Sequence, residues 1–167
     1  MEIPKTIKIL DNLKIKWEGV TDFSELYKYM KLYLDDIGYA EERNLEKKYI
    51  KKIKPEGKEQ LEISWHGEKK KSEFFNFNID INILILGMSD VEIQQPDGVK
   101  RKMQKGKFEM RINSYIERTD KWDELKGFQK LYYELTIRKR IDEYIKELYN
   151  KSTGFHSYIK QFLGLRD

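Results

Sequence analysis

The chain has 167 residues and no cysteine, and charged side chains at 37% of its positions nearly cancel to a net charge of +4. That length suits a single domain, residues 1–167, with enough chain to bury a core without disulfides or metal. The missing cysteine excludes thiolate metal sites, iron–sulfur ligation and cysteine nucleophiles, and the charge balance falls short of the strongly basic signature of many nucleic-acid binders.

The start, Met1-Glu2-Ile3-Pro4, lacks the basic stretch and apolar core of an export signal, and no apolar run approaches membrane-span length, so a cytoplasmic location is expected. Asn150-Lys151-Ser152 fits the glycosylation pattern, which then reads as chance. Leu13, Ile15 and Trp17 alternate with Lys14 and Lys16 and predict a first strand ending near Gly19. Asp22 with Glu25 forms a capping box, and Phe23, Leu26, Tyr27, Met30, Tyr33, Leu34 and Ile37 recur at helical spacing, so a helix is expected over about 22–37 with Gly38 as its stop.

From there to about 119 the pattern is that of strands. Pro55-Glu56-Gly57 separates a lysine-rich strand at 45–54 from one at 58–66, and Gly67 with the charges after it predicts the next turn. The longest signal follows. Phe75, Phe77, Ile79, Ile81, Ile83 and Ile85 alternate with Asn76, Asn78, Asp80, Asn82 and Leu84, a period of two that puts six apolar groups on one face and a mostly Asn/Asp row on the other. Gly87 is expected to interrupt this strand before Val91 and Ile93 resume it, and Pro96-Asp97-Gly98 predicts a hairpin leading to a strand at 99–104. Gly106 opens the last strand, where Phe108, Met110 and Ile112 share a face and a bulge or bend is expected near Ser114 and Tyr115.

After Asp120 the period is helical, with Phe128, Leu131, Tyr132, Leu135, Ile141, Ile145 and Leu148 read as one stripe of a long amphipathic helix. Ser152-Thr153-Gly154 is expected to break it before a short final helix from Phe155 to Leu163, which ends at Gly164. The sum is an α+β domain: an antiparallel meander of about six or seven strands, packed against one N-terminal helix and a long C-terminal amphipathic helix.

This order of elements resembles the helix-grip fold of START-like and plant-allergen-like proteins, which implies a curved sheet around the C-terminal helix and an apolar ligand cavity. Residues 58–149 are also similar to small archaeal proteins in their Trp-bearing strand, long alternating strand, Pro-Asp-Gly hairpin and Ile137-Arg138-Lys139-Arg140-Ile141-Asp142-Glu143-Tyr144 helix, a resemblance that implies no activity.

Function is written less plainly. His66 and His156 belong to no spaced ligand set, so no metal site and no cofactor are expected. Phosphate loops, a nucleophile elbow and a paired-carboxylate motif are all missing, which points away from an enzyme. The expected role is binding of a small apolar ligand or a protein partner in the groove between sheet and C-terminal helix, lined by Phe75, Phe77, Ile79, Ile81, Phe108, Met110, Leu131 and Leu135. One alternative is a nucleic-acid or other polyanion site on the lysine-rich hairpins, using Lys47, Lys51, Lys100, Arg101 and Lys102, although lysines on edge strands also guard against aggregation. Another is an assembly protein whose activity is oligomerisation. Asn76, Asn78, Asp80 and Asn82 offer either a polar cavity with Asp80 as its base or, more simply, the solvated face of a one-sided sheet.

Overall fold

The computed structural model describes residues 3–40 and 45–165; Met1 and Glu2 of the segment read for an export signal lie outside the described residues. The architecture is α+β: β1 (Thr6–Thr21), α1 (Phe23–Asp36), β2 (Glu46–Ile53), β3 (Glu59–Lys70), β4 (Phe75–Gln94), β5 (Lys100–Arg118), a short α2 (Asp120–Asp123) and α3 (Gly127–Phe162). The strands form one antiparallel sheet in the order β1-β5-β4-β3-β2.

Five strands replace the expected six or seven because glycines read as breaks lie inside strands. β4 runs through Gly87, which takes a φ of 61° at a bulge between Leu86 and Ser89; a glycine absorbs this extra residue without ending the ladder. β5 likewise continues through Gly106. β3 continues past Gly67 to Lys70, so the hairpin into β4 lies at 71–74 rather than at Gly67. Gly67 instead makes room for a crossing. A Cβ there would lie 2.8 Å from the Tyr39 carbonyl oxygen, so its missing side chain lets the segment after α1 pass directly over the strand. β1 starts earlier than its alternation suggested, with Asn12 at a φ of 61° and its N–H donating to Asn113 Oδ1 at 2.7 Å across an irregular stretch between Leu10 and Leu13. Asn tolerates this left-handed backbone better than other non-glycine residues.

The odd positions of β4 form the core's centre. Phe75, Phe77, Ile79, Ile81, Ile83 and Ile85 are all buried, and the register aligns Ile81 with Trp65 on β3 and with Ile112 on β5. Both long helices cover this face. α1 begins at Asp22, whose side chain accepts from the Glu25 N–H at 3.0 Å, and lays Phe23 against Phe108. α3 sets Tyr144 against Phe75 and Phe77.

α3 is one unbroken helix, and the break expected at Ser152-Thr153-Gly154 is absent. The hydroxyls of Ser152 and Thr153 bond back to the carbonyls of Leu148 and Tyr149 at 2.7 and 2.8 Å, so they serve the helix instead of competing with it. Gly154 lies beneath the Tyr33 hydroxyl, where a Cβ would approach to 3.0 Å, and thus lets α1 and α3 meet closely. The ring of Tyr33 then packs on Phe155 and Tyr158.

β2, an edge strand with all eight residues exposed, is tied down by Glu46. Its carboxylate accepts from Tyr27 Oη at 2.6 Å and Trp65 Nε1 at 3.1 Å, with Lys31 Nζ at 3.7 Å. Burial alone would raise the pKa of Glu46, but the two hydrogen bonds and Lys31 hold it below the ordinary carboxylate value.

Replacing Gly67 by alanine should force the Tyr39 segment off β3 and destabilise the fold by about 1–3 kcal/mol, the usual range for overpacking. Urea denaturation checks this, and a loss below about 0.5 kcal/mol, the range of an ordinary surface change, would mean that the segment moves aside without cost.

Candidate functional site

Because side chains alternate along each strand, the face opposite the helices collects the even positions of β3 and β4 and the odd positions of β5. The register sets His66 beside Asp80 and Asp80 beside Asn113, and sets Glu68 beside Asn78 and Asn78 beside Tyr115. His66 Nδ1 is hydrogen-bonded with Asp80 Oδ1, while its Nε2 lies 4.0 Å from Glu68 Oε2. Glu68 also accepts from Asn76 Nδ2 at 3.0 Å. Next to them the Tyr115 phenol has its pKa pushed up to about 12, first by burial, then by the negative charges of Asp80 and Glu117 and by a hydrogen bond to Asp80. Asn78 is buried within this polar row, and Asn82 Oδ1 accepts from Ser64 Oγ at 2.8 Å.

One end of this network opens into a cleft of about 510 Å³ lined by Tyr39, Leu45, Lys47, His66, Glu68, Lys70 and Asn76. Its volume falls within the range of small-molecule sites. Thus of the Asn/Asp row only Asn76 lines the recess, while Asp80 acts on it through His66. Among the described residues no group of three or more His, Asp or Glu side chains is arranged to hold a metal ion.

The residues expected to line an apolar groove separate into two sets. Phe75, Phe77, Ile79, Ile81, Phe108 and Met110 are packed core with almost no exposed surface. The space beside Phe108 is a cavity of about 140 Å³ under α1, bounded also by Leu26, Met30, Ile83 and Ile85. That is the size of a void that holds a benzene-sized guest, below the usual ligand-site range. Leu131 and Leu135 do not face the sheet. They are 53% and 55% exposed and share one side of α3 with Phe128, 92% exposed, and Tyr132, 65% exposed.

The single stripe expected along this helix is therefore two stripes. Ile137, Tyr144, Leu148, Phe155 and Ile159 bury against the sheet and α1, whereas positions 128, 131, 132 and 135, spaced i, i+3, i+4 and i+7, lie on the opposite side. Before Ile137 only Tyr133 among the apolar residues of α3 packs on the core, with its ring 4.8 Å from that of Phe74. The result is an apolar face with no cover within the described chain.

Most of the residues expected to bind a polyanion are engaged by carboxylates. Lys51 pairs with Glu59 at 3.2 Å, Lys102 with Asp90 at 3.2 Å, and Arg101 with Glu25 at 3.0 Å and Asp22 at 3.5 Å. Lys100 is exposed beside the 95–99 hairpin, and Lys47 lies apart from these, at the cleft. The chain matches no family model and no curated protein. Among the described residues no helix is long and apolar enough to cross a membrane.

The His66–Asp80–Tyr115 cluster makes a specific spectroscopic prediction. In the variant Asp80→Asn a raising influence on Tyr115 is gone but its burial remains, so the phenol should titrate lower than in the wild type and still above 10, the ordinary tyrosine value. Ultraviolet difference titration, with a Tyr115→Phe variant to assign the signal, checks this; an unchanged midpoint would mean that Asp80 does not act on the phenol.

Proposed function

We propose that this protein is an interaction domain that assembles by docking the amino-terminal half of α3 against the same element of a second copy. The observation that carries this reading is the outward stripe of Phe128, Leu131, Tyr132 and Leu135, headed by a phenylalanine that is 92% exposed. Together these side chains present an apolar area on the order of 500 Å², as large as the largest patches monomers ordinarily show. Water contact with that area is unfavourable, and a self-complementary partner removes it from both copies at once.

Charge supports self-pairing in one direction. Glu124 precedes the stripe and Lys139 follows it, whereas Asp123 is already held by Arg118 at 3.0 Å. When two copies of α3 run antiparallel about an axis passing between Leu131 and Tyr132, Phe128 of each meets Leu135 of the other. The Glu124 end of one copy is then brought toward Lys139 of the other. A parallel pairing would set Glu124 toward Glu124 and Lys139 toward Lys139, which costs energy. The helix-grip reading of the fold stays part of this proposal, supported by the placement of β1 beside the last strand and of α3 across the same face. In that reading α3 carries both the core seam and the docking surface.

Sedimentation velocity across low to high micromolar protein tests the proposal. The wild type should shift from a 20.3 kDa species towards twice that mass. Leu131→Glu combined with Leu135→Glu should remain monomeric throughout, with a thermal midpoint near that of the wild type because neither side chain is in the core. Lys139→Glu should weaken the dimer, and adding Glu124→Lys should restore it. A wild type that stays monomeric at every concentration overturns the reading.

A further inference from the structure

A separate surface, the cleft on the outer face of the sheet, has a charge arrangement with a direction. The one carboxylate that lines it, Glu68, accepts from Asn76 Nδ2 and stands 4.0 Å from His66 Nε2, while Asp80 behind it is engaged by His66 and Tyr115. Lys47 and Lys70 both line the cleft, and neither is ion-paired with a described residue. Their neighbours behave differently, since Lys48 pairs with Glu62 at 2.8 Å and Lys71 with Glu147 at 2.9 Å. The paired lysines stitch strands and helix together; the two at the cleft have no ion-pair partner among the described residues.

We infer that the cleft binds a small hydroxylated organic anion, whose phosphate or carboxylate oxygens lie between Lys47 and Lys70 and whose hydroxyl reaches the His66 Nε2 edge. Three features support that ligand chemistry. The recess of about 510 Å³ has room for such a molecule. Two ammonium donors meet one oxyanion with charge-assisted hydrogen bonds, the strong kind. Asp80 holds the Nδ1 side of the imidazole, which fixes the ring with Nε2 4.0 Å from Glu68 Oε2, so a ligand hydroxyl at that edge can accept or donate between the ring and the carboxylate. This site shares no residue with the α3 stripe, so its fate is independent of the dimer.

Nuclear magnetic resonance titration reads the site directly, following the His66 ring and the Lys47 and Lys70 side chains with inorganic phosphate, glycerol phosphate and lactate as probes. Saturable shifts are expected at these residues, with glycerol phosphate or lactate tighter than inorganic phosphate, and the order of those two tells whether phosphate or carboxylate is preferred. Lys47→Ala with Lys70→Ala should weaken binding by about tenfold or more, the scale of lost charge-assisted hydrogen bonds. Lys54→Ala with Lys58→Ala, at the hairpin on the far end of β3, should leave it unchanged. His66→Gln should weaken the hydroxylated probes more than inorganic phosphate. Absent or non-saturating shifts overturn the inference, as does an equal loss in both lysine pairs, which would mark the binding as general attraction to a basic surface.

Discussion

The whole structure depends on one requirement: the apolar face of β4 must be kept from water along its length. Six large side chains point the same way from Phe75 to Ile85, and all are buried, each worth roughly 1.5–3 kcal/mol in removal from water. Strands alone cannot meet that need, because β3 and β5 extend the face sideways and add Trp65, Phe108, Met110 and Ile112 to it. Helices must therefore cover a surface wider than one helix. α1 covers the part around Trp65 and Phe108, and α3 the part around Phe75 and Phe77. Where the two helices meet, Gly154 and Tyr33 close the seam.

The same requirement frees the other face. Since both helices lie on one side, the outer face has water as its default partner, and polar side chains there need not be removed from solvent. The chain uses that liberty unevenly. Around Asn82 the row forms simple cross-strand bonds, but near Asp80 it gathers His66, Glu68 and Tyr115 on the face opposite the segment that crosses Gly67. That crossing makes one wall of the cleft, and it exists because Gly67 has no side chain to hold the segment away. A packing detail on the core side thus shapes a recess on the polar side.

Much of the fold was legible in the sequence because local and long-range signals agreed. The alternation from Phe75 to Ile85 named the central strand and its buried face, and the Asp22 cap with the Phe23, Leu26, Met30, Leu34 spacing named α1. What misled was punctuation. Gly67, Gly87 and Gly106 read as strand ends, since a glycine at a turn and one at a bulge or close approach look the same in one dimension; the backbone that passes over Gly67 comes from distant residues. That error hid the pairing of His66 with Asp80. Ending β3 at His66 moves the hairpin several residues, whereas the true turn at 71–74 brings His66 level with Asp80. Ser152-Thr153-Gly154 misled for a similar reason, because hydroxyls that end helices when they cap can also bond back within one. The stripe on α3 was seen but misassigned: Leu131 and Leu148 both suit an apolar face, and only the position of the sheet tells which of two opposite faces each belongs to.

The length of α3 brings core and surface together. A helix of 36 residues is roughly 54 Å long. Its buried positions, Ile137 to Ile159, span only about 33 Å of that at 1.5 Å per residue. The first turns, apart from Tyr133 on Phe74, add nothing to the core that the sheet requires. A segment with no core duty could be polar on all sides at no cost to folding, and polar helix formers there would improve solubility. Instead it carries Phe128, Leu131, Tyr132 and Leu135 on the side that no described part of the chain covers. Stability of the monomer gives no reason for that choice, and burial in an assembly does. The fold is thus a sheet sealed by two helices, one of which runs past the seal to offer the apolar surface that the proposed dimer buries.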